Sequence, residues 1–403
     1  MTLLRSLTYR PFALLWSGQS ISQLGDSMYR FALIWWAMNQ TGSAFETSAI
    51  LFCSILPMLL FVLIGGVAVD RFPRVPIMLA SDVIRGAVVL LIALLFSRGA
   101  LQIWHVYVAS VIFGSVDAFF QPAYTALLPE VTPQELLPSA NSLTIISQRS
   151  SGVIGPLLAT TLITTMGTTT VFVLNGLSFL LSALCLMPLL RRSTTPPAAK
   201  PSSNIWRDVR EGLSTVKATP WLWITIAIVA LGNITSSGPL TIALPFLVKQ
   251  NHAAEVDTFG LARSMLSLGV VLGAVWLGRK KVIRRRGLTA YGAWLISGLL
   301  LFAFGLPIGR LGMAVAALIV GLTTGAFALI WTNTLQQLVP RDMLGRVSSI
   351  DYLGTFLLLP VGFAVVGWAT DRVGAAAVFM IGGILTMGLA ALGLVHPAIR
   401  QLD

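Results

Sequence analysis

The sequence predicts an all-α integral membrane protein, with twelve transmembrane helices in two pseudo-symmetric six-helix halves. Three observations predict it. The 403 residues are 56% hydrophobic and only 10% charged, where a soluble domain carries about 25% charged residues, and the mean hydropathy is +0.83. Twelve apolar runs are long enough to cross a hydrocarbon core, which takes roughly 20 residues of helix. The second half of the chain repeats the first at a constant offset.

The runs fall near 10–38, 45–69, 76–97, 103–128, 138–165, 169–190, 221–248, 258–278, 288–306, 312–336, 346–370 and 375–395. The stretch 191–220 breaks the series. It holds Arg191 and Arg192, a Ser/Thr/Pro/Ala tract, Lys200, and then Trp206 to Lys217, which reads as a short amphipathic helix on the membrane surface. The expected organisation is therefore 1–190 as one half, 191–220 as a cytoplasmic linker and 221–403 as the other half. With both termini inside, nineteen Lys and Arg fall on the cytoplasmic side and four (Arg98, Lys249, Arg310 and Arg372) outside. The positive-inside rule selects that orientation. No small-residue cleavage site follows a short apolar core near the N-terminus, so the first run reads as an anchor rather than a cleaved signal.

Composition also excludes classes of function. Cys53 and Cys185 both lie inside apolar runs, where thiols behave as small hydrophobes. His105, His252 and His396 make no metal-binding spacing. No nucleophile constellation, P-loop or dinucleotide fingerprint is present, so neither an enzyme nor an ATP-driven pump is expected, and no cofactor. The net charge of +12 is spread over loops, which argues against nucleic acid as a partner.

The repeat has a register of 207 residues. Leu24-Gly25-Asp26 corresponds to Leu231-Gly232-Asn233, Gly66 to Gly273, Gly114 to Gly321, Phe120 to Phe327, and Ser142 to Ser349. Pro133-Gln134-Glu135-Leu136-Leu137 corresponds to Pro340-Arg341-Asp342-Met343-Leu344. Two halves of six helices enclose a cavity within one chain, so a monomer is expected.

Intramembrane polar residues are costly and are candidates by default. The first span carries Gln19, Ser22, Gln23, Asp26 and Arg30 on one helical stripe. The stripe reads as the lining of an aqueous cavity; the plainer alternative is an Asp26–Arg30 ion pair at i, i+4 that fixes helix packing. The fourth span carries Ser110, Gly114, Asp117, Gln121 and Tyr124, with Phe119 and Phe120 beside Asp117. Apolar, aromatic surroundings favour the neutral form of a carboxylate, the property that proton coupling needs. The alternative is a structural acid paired with Arg30 or Arg149. In the fifth span, Gln148 and Arg149 precede Gly152, Gly155 and Pro156, a run suited to close packing and a bend. Asn233, with Ser236 and Ser237, gives the seventh span a milder polar face, and Trp331 and Asn333 stand towards the inner end of the tenth.

Between the second and third spans stands Gly66-Val67-Ala68-Val69-Asp70-Arg71-Phe72-Pro73-Arg74. A tight hairpin carrying ordinary cytoplasmic charges is one reading. The other is a conformational gate in which Asp82 and Arg85, placed close to the cytoplasmic face, join Asp70, Arg71 and Arg74, while Asp342, Arg346 and Asp351 supply a partner cluster. At the corresponding place in the second half Leu277 replaces Asp70, so the halves differ there.

The loop at Gly66 to Arg74 resembles the signature loop of the major facilitator superfamily, with Pro73 in place of the usual second glycine. Trp16-Ser17-Gly18-Gln19 through Gly25-Asp26, Thr41-Gly42-Ser43, Phe120-Gln121-Pro122-Ala123, Ala140-Asn141-Ser142-Leu143 and Gln336 through Val347 resemble the drug:proton antiporter branch that includes macrolide-efflux proteins and the enterobactin exporter. The run Arg149 to Pro156 is similar to that superfamily's Gly-Pro antiporter motif, without its upstream glycine. The resemblance implies a major facilitator fold in a bacterial inner membrane. It also implies proton-coupled export of amphipathic organic compounds by alternating access, with the proton gradient as the driving force. Asp26 and Asp117 are then the acids that alternate between proton and substrate. Two alternatives remain: a carrier of a defined metabolite such as a siderophore, lysolipid or sugar, with Arg30 and Arg149 as anion-binding groups, and a non-transporting membrane receptor or scaffold.

Overall fold

The computed structural model describes residues 3–192, 205–251, 255–279, 285–340 and 343–402. These are helical throughout, and no strand occurs among them. The first six crossings are α1 (Arg10–Thr41), α2 (Ala44–Arg71), α3 (Arg74–Ser97), α4 (Ile103–Glu130), α5 (Leu137–Met166) and α6 (Thr168–Leu186). Helix α7 (Ile205–Ala218) follows. The seventh crossing is compound: α8 (Pro220–Gly232), two π-helical stretches at Asn233–Ser237 and Pro239–Ala243, then α9 (Leu244–Asn251). Next come α10 (Glu255–Gly278), α11 (Arg286–Phe304) and α12 (Gly309–Leu338). The eleventh crossing is α13 (Leu344–Phe356) continued by α14 (Leu359–Val373), and the twelfth is α15 (Ala375–Val395), with a last turn α16 (Pro397–Arg400).

Ten of these crossings are apolar enough over their length to be recognised by hydropathy alone. The other two are α1 and α5, whose Gln, Ser, Thr, Asp and Arg dilute the apolar signal. Boundaries follow from local chemistry. Pro11 sits in the first turn of α1, and α1 ends at Gly42, which adopts φ 66 and returns its N–H to the Met38 carbonyl. The turns α5–α6 and α14–α15 both pivot on a glycine, Gly167 at φ 86 and Gly374 at φ 85, and these two positions are 207 residues apart. The repeat read from sequence therefore extends to backbone conformation.

Contacts divide the chain into two units. Unit 1 is Met1–Gly42 with Ala49–Lys200; unit 2 is Ser43–Ser48 with Pro201–Asp403. In unit 1, α1 packs on α5 and α6, and α3 on α4 and α6. One end of it, where α1 starts and α4 and α6 finish, holds a buried cluster built on Phe12, Val75, Met78, Leu127 and Leu186. In unit 2, α10 packs on α12, and α11 on α12 and α15. Helix α7 docks through Val216 onto Leu222, Leu335 and Val347.

Close backbone approach accounts for several glycines. A side chain at Gly65 would collide with the Ala118 carbonyl, and one at Gly114 with the Ser54 carbonyl, which fixes α2 against α4. Gly269 and Gly273 on α10 meet Gly321, Leu322 and the Leu318 carbonyl on α12 in the same way. Gly66, by contrast, has open space around it, so the close approach in the second span belongs to its neighbour Gly65. In unit 2, Asp371 on α14 holds the segment that starts α2: its carboxylate accepts from Ser43 Oγ at 2.6 Å, Ala44 N at 2.7 Å and Phe45 N at 3.0 Å.

Candidate functional site

Unit 1 places Asp26, Arg30 and Asp117 of its spans around one cavity. A cavity of about 70 Å³ is lined by Asp26, Tyr29 and Arg30 of α1, Ser54 of α2, and Ser110, Phe113 and Asp117 of α4. Asp26 and Arg30 pair within α1 at 3.7 Å, with 18% and 70% of their side chains exposed. The ion pair and the cavity lining, alternatives on sequence grounds, are both present. Tyr29 forms one wall, stacked on Phe113 with ring centroids 5.8 Å apart.

Behind the cavity lies Arg85. Its guanidinium donates to Asp117 Oδ1 at 3.1 Å and to Asp82 Oδ1 at 2.9 Å. It also lies over the ring of Phe120 at 4.1 Å and that of Phe179 at 4.7 Å, two desolvated cation–π contacts. Arg85 is 4% exposed and Asp82 fully buried, while Asp117 keeps 30% of its side chain open. Asp82 is further satisfied by Ser182 Oγ at 2.7 Å and Gln19 Nε2 at 3.4 Å, and Gln19 also donates to Ser182 at 2.8 Å.

Three expectations are corrected here. Asp82 and Arg85 stand within the third span rather than with the loop before it: Arg85 is eleven residues into α3, about 16 Å along its axis. The partner of Asp117 is Arg85, neither Arg30 nor Arg149. Gln19 is buried in the α1–α6 contact and does not line the cavity. Gln23 Oε1 is buried without a hydrogen-bond partner among the described residues.

The remaining candidates are dispersed. Gln121, Gln148 and Arg149 are exposed. A side chain at Gly155 would meet Ser27 of α1, and Pro156 is buried, so that pair serves close packing of α5 on α1; Gly152 is half-buried. At the α2–α3 turn, Arg74 pairs with Glu130, a partner not anticipated from the sequence, and Arg71 is exposed. The side chain of Asp70, and Asp342 altogether, lie outside the described residues. Arg346 pairs with Glu211 of α7 at 2.8 Å, and Asp351 accepts from the Trp331 indole at 3.2 Å, so these two do not form one cluster. Asn233 donates to the Thr355 carbonyl at 2.9 Å, and Asn333 is half-buried.

The sequence reading missed Ser182, Glu130 and Glu211 as partners. Glu211 carried a signal, since it stands among Arg207, Arg210 and Lys217; Glu130 carried none, with no Lys or Arg between Arg98 and Arg149. Ser182 carried none, because small polar residues are common in membrane helices.

Comparison with known proteins agrees with this architecture. The chain is 23% identical to macrolide efflux protein A of Streptococcus pyogenes over 394 residues, covering 97% of each. It is 28% identical to the multidrug efflux pump Tap of Mycolicibacterium fortuitum, covering 94% of each. Its fold superposes on a bacterial homologue of the iron transporter ferroportin in an inward-facing state with a TM-score of 0.72, at 15% identity, covering 97% of this chain and 100% of that one. Residues 15–362 match the Major Facilitator Superfamily, and the chain, a multi-pass membrane protein with twelve helical crossings, belongs to that family.

Proposed function

We propose that the protein is a proton-coupled secondary transporter that exports amphipathic organic compounds by alternating access. It works as a monomer in a bacterial cytoplasmic membrane, with both termini inside and the proton gradient as its driving force. One observation carries the coupling: two carboxylates, Asp82 and Asp117, share the single guanidinium of Arg85 within the helical spans, beside the Asp26–Arg30 pair. The linked set has one negative charge in excess, and a buried excess charge is costly in lipid. One bound proton neutralises it.

The geometry supports Asp117 as the acid that takes the proton. Asp82 is satisfied by Arg85, Ser182 and Gln19 and has no access to the cavity. Asp117 has Arg85 alone as its ion-pair partner among the described residues, and it opens onto the cavity beside Asp26. Asp117 exchanges the proton, and Arg85 holds Asp82 in either state. The relatives named as efflux proteins support export and an organic substrate.

The test uses proteoliposomes that hold the purified protein and a pH-sensitive dye. A proton gradient is imposed, and amphipathic cations, macrolides and siderophores are added in turn. Proton release on adding a compound, lost in Asp117→Asn and reduced in Asp26→Asn, is the expected result. Release at the wild-type rate in Asp117→Asn, or none with any compound, overturns the reading.

A further inference from the structure

The cavity of unit 1 has a counterpart at the repeat distance. Unit 2 encloses a cavity of about 220 Å³ among the π-helical crossing, α10, α11 and α12. Advanced by 207 residues, the unit 1 lining residues Asp26, Arg30, Leu33 and Asp117 fall on Asn233, Ser237, Leu240 and Thr324, which all line the second cavity. Both carboxylates of the first cavity are thus replaced by uncharged groups, Asn233 and Thr324, and no acid stands among the described residues that line the second.

Three hydroxyl protons at this cavity are taken up by the protein itself. Ser236 donates to the Gly232 carbonyl at 2.6 Å, Ser237 to Asn233 Oδ1 at 3.2 Å, and Thr324 to the Val320 carbonyl at 2.7 Å. Asn233 is tied to the Thr355 carbonyl at 2.9 Å, and Arg263, also in the lining, is held by the protein through the Leu240 carbonyl at 3.5 Å. A hydroxyl has one proton to give and two lone pairs to offer. The oxygens of Ser236, Ser237 and Thr324 therefore remain as acceptors, and a ligand that brings an O–H or N–H finds a partner among them.

The rest of the wall suits a flat apolar body. Trp294 and Phe327, with ring centroids 5.6 Å apart, stand with Leu240, Leu266, Val270 and Val320. An apolar cavity of ~150 Å³ holds benzene, and sites for whole drug-sized ligands run to about 300–1,000 Å³. At about 220 Å³ this one fits one or two fused rings. Thr324 lies three residues before Phe327 on α12, so the two share a helix face, and a ring seated on Phe327 brings its edge to Thr324. The backbone points the same way: Asn233, Ser236 and Ser237 lie on the first π-helical stretch, Leu240 and Thr241 on the second. π turns are rare and concentrate at functional sites, and irregular backbone at membrane depth is tolerated where it lines a cavity.

We infer that this cavity is a subsite for an uncharged aromatic ring that carries a hydrogen-bond donor. Trp294 and Phe327 pack on the ring, and Thr324 Oγ1 accepts from its N–H or O–H. The inference names a chemical group on the compound carried and so rests on the transport reading. Its test needs no proton gradient, so failure of binding and failure of coupling are read separately.

The probes are indole, whose ring N–H is a donor only, and N-methylindole, the same rings without the donor. Binding of each to the full chain in lipid nanodiscs is measured by calorimetry at pH 7, with empty nanodiscs subtracted. Indole is expected to bind about fivefold more tightly than N-methylindole, the worth of one neutral hydrogen bond. The preference falls below about twofold in Thr324→Val, which keeps the shape and removes the acceptor, and it returns in Thr324→Ser. Thr324 is exposed, so neither variant disturbs the packing of α12. If Thr324→Val does not survive purification, Thr324→Ala is read in its place. Equal binding of the two probes to the wild type overturns the inference, as does a preference that survives the folded variant, or tighter binding of indoleacetate than of indole.

Discussion

Arg85→Met tests the buried charge cluster most directly. The substitution keeps the apolar stem and removes the guanidinium that both Asp82 and Asp117 share. Asp117, with 30% of its side chain open, retains contact with its cavity; Asp82, at 0%, does not. Breaking one side of a buried pair costs about 3–5 kcal/mol. The loss has a ceiling, because the folded chain takes up a proton when that is cheaper. At pH 7 that neutralisation costs about 4 kcal/mol, from ~1.36 kcal/mol per pH unit above an ordinary aspartate value of ~3.9. At pH 5 the same ceiling is about 1.5 kcal/mol. The folded variant then binds a proton that its unfolded chain does not, so its stability relative to wild type rises as pH falls. Thermal unfolding of both proteins in detergent at pH 7 and pH 5 reads this directly. The variant is expected to melt well below wild type at pH 7 and to recover more than half of the gap at pH 5. Adding Asp82→Asn, which keeps the shape of the side chain without its charge, recovers most of the loss at pH 7. Melting with wild type at pH 7, or a gap that widens towards pH 5, refutes the reasoning.

Three further outcomes follow from packing and capping. Gly114→Ala places a methyl group against the Ser54 carbonyl and lowers the melting temperature and yield sharply, whereas Gly66→Ala, in open space, stays within about 2 °C of wild type. Asp371→Asn weakens three hydrogen bonds at the start of α2 and costs about 1 kcal/mol in a thermal melt, the usual worth of a charged cap. Arg346→Ala removes a pair whose partners are 35% and 39% exposed; at less than about 1 kcal/mol, it leaves melting nearly unchanged.

The twelve crossings were legible because lipid leaves helices few options: long apolar runs, basic loops between them and the 207-residue register all survive in the sequence. Even α1 and α5, the crossings whose polar residues dilute the hydropathy signal, were read among the twelve runs. Asp26, Arg30 and Asp117 were legible as candidates because charge in a span is conspicuous. Their connections were not. The Arg85–Asp117 bond joins residues 32 apart on neighbouring helices, and which faces meet depends on helix rotation, which sequence spacing does not specify. Counting 1.5 Å per residue from Arg74 would have moved Arg85 away from the loop cluster. The π-helical stretches left only a faint sign, Gly238-Pro239, where proline removes one backbone donor.

The glycine contacts also constrain the order in which the chain assembles. In both units a close backbone seam joins crossings that are two apart, α2 with α4 and α10 with α12. Each pair therefore waits for an intervening hairpin to enter the bilayer. Until α12 arrives, the groove at Gly269 and Gly273 is filled by lipid tails, which must leave before the backbones meet. Each unit thus closes late, as a three-helix step, and a nascent chain stopped after Phe304 carries α10 with its seam still open to lipid.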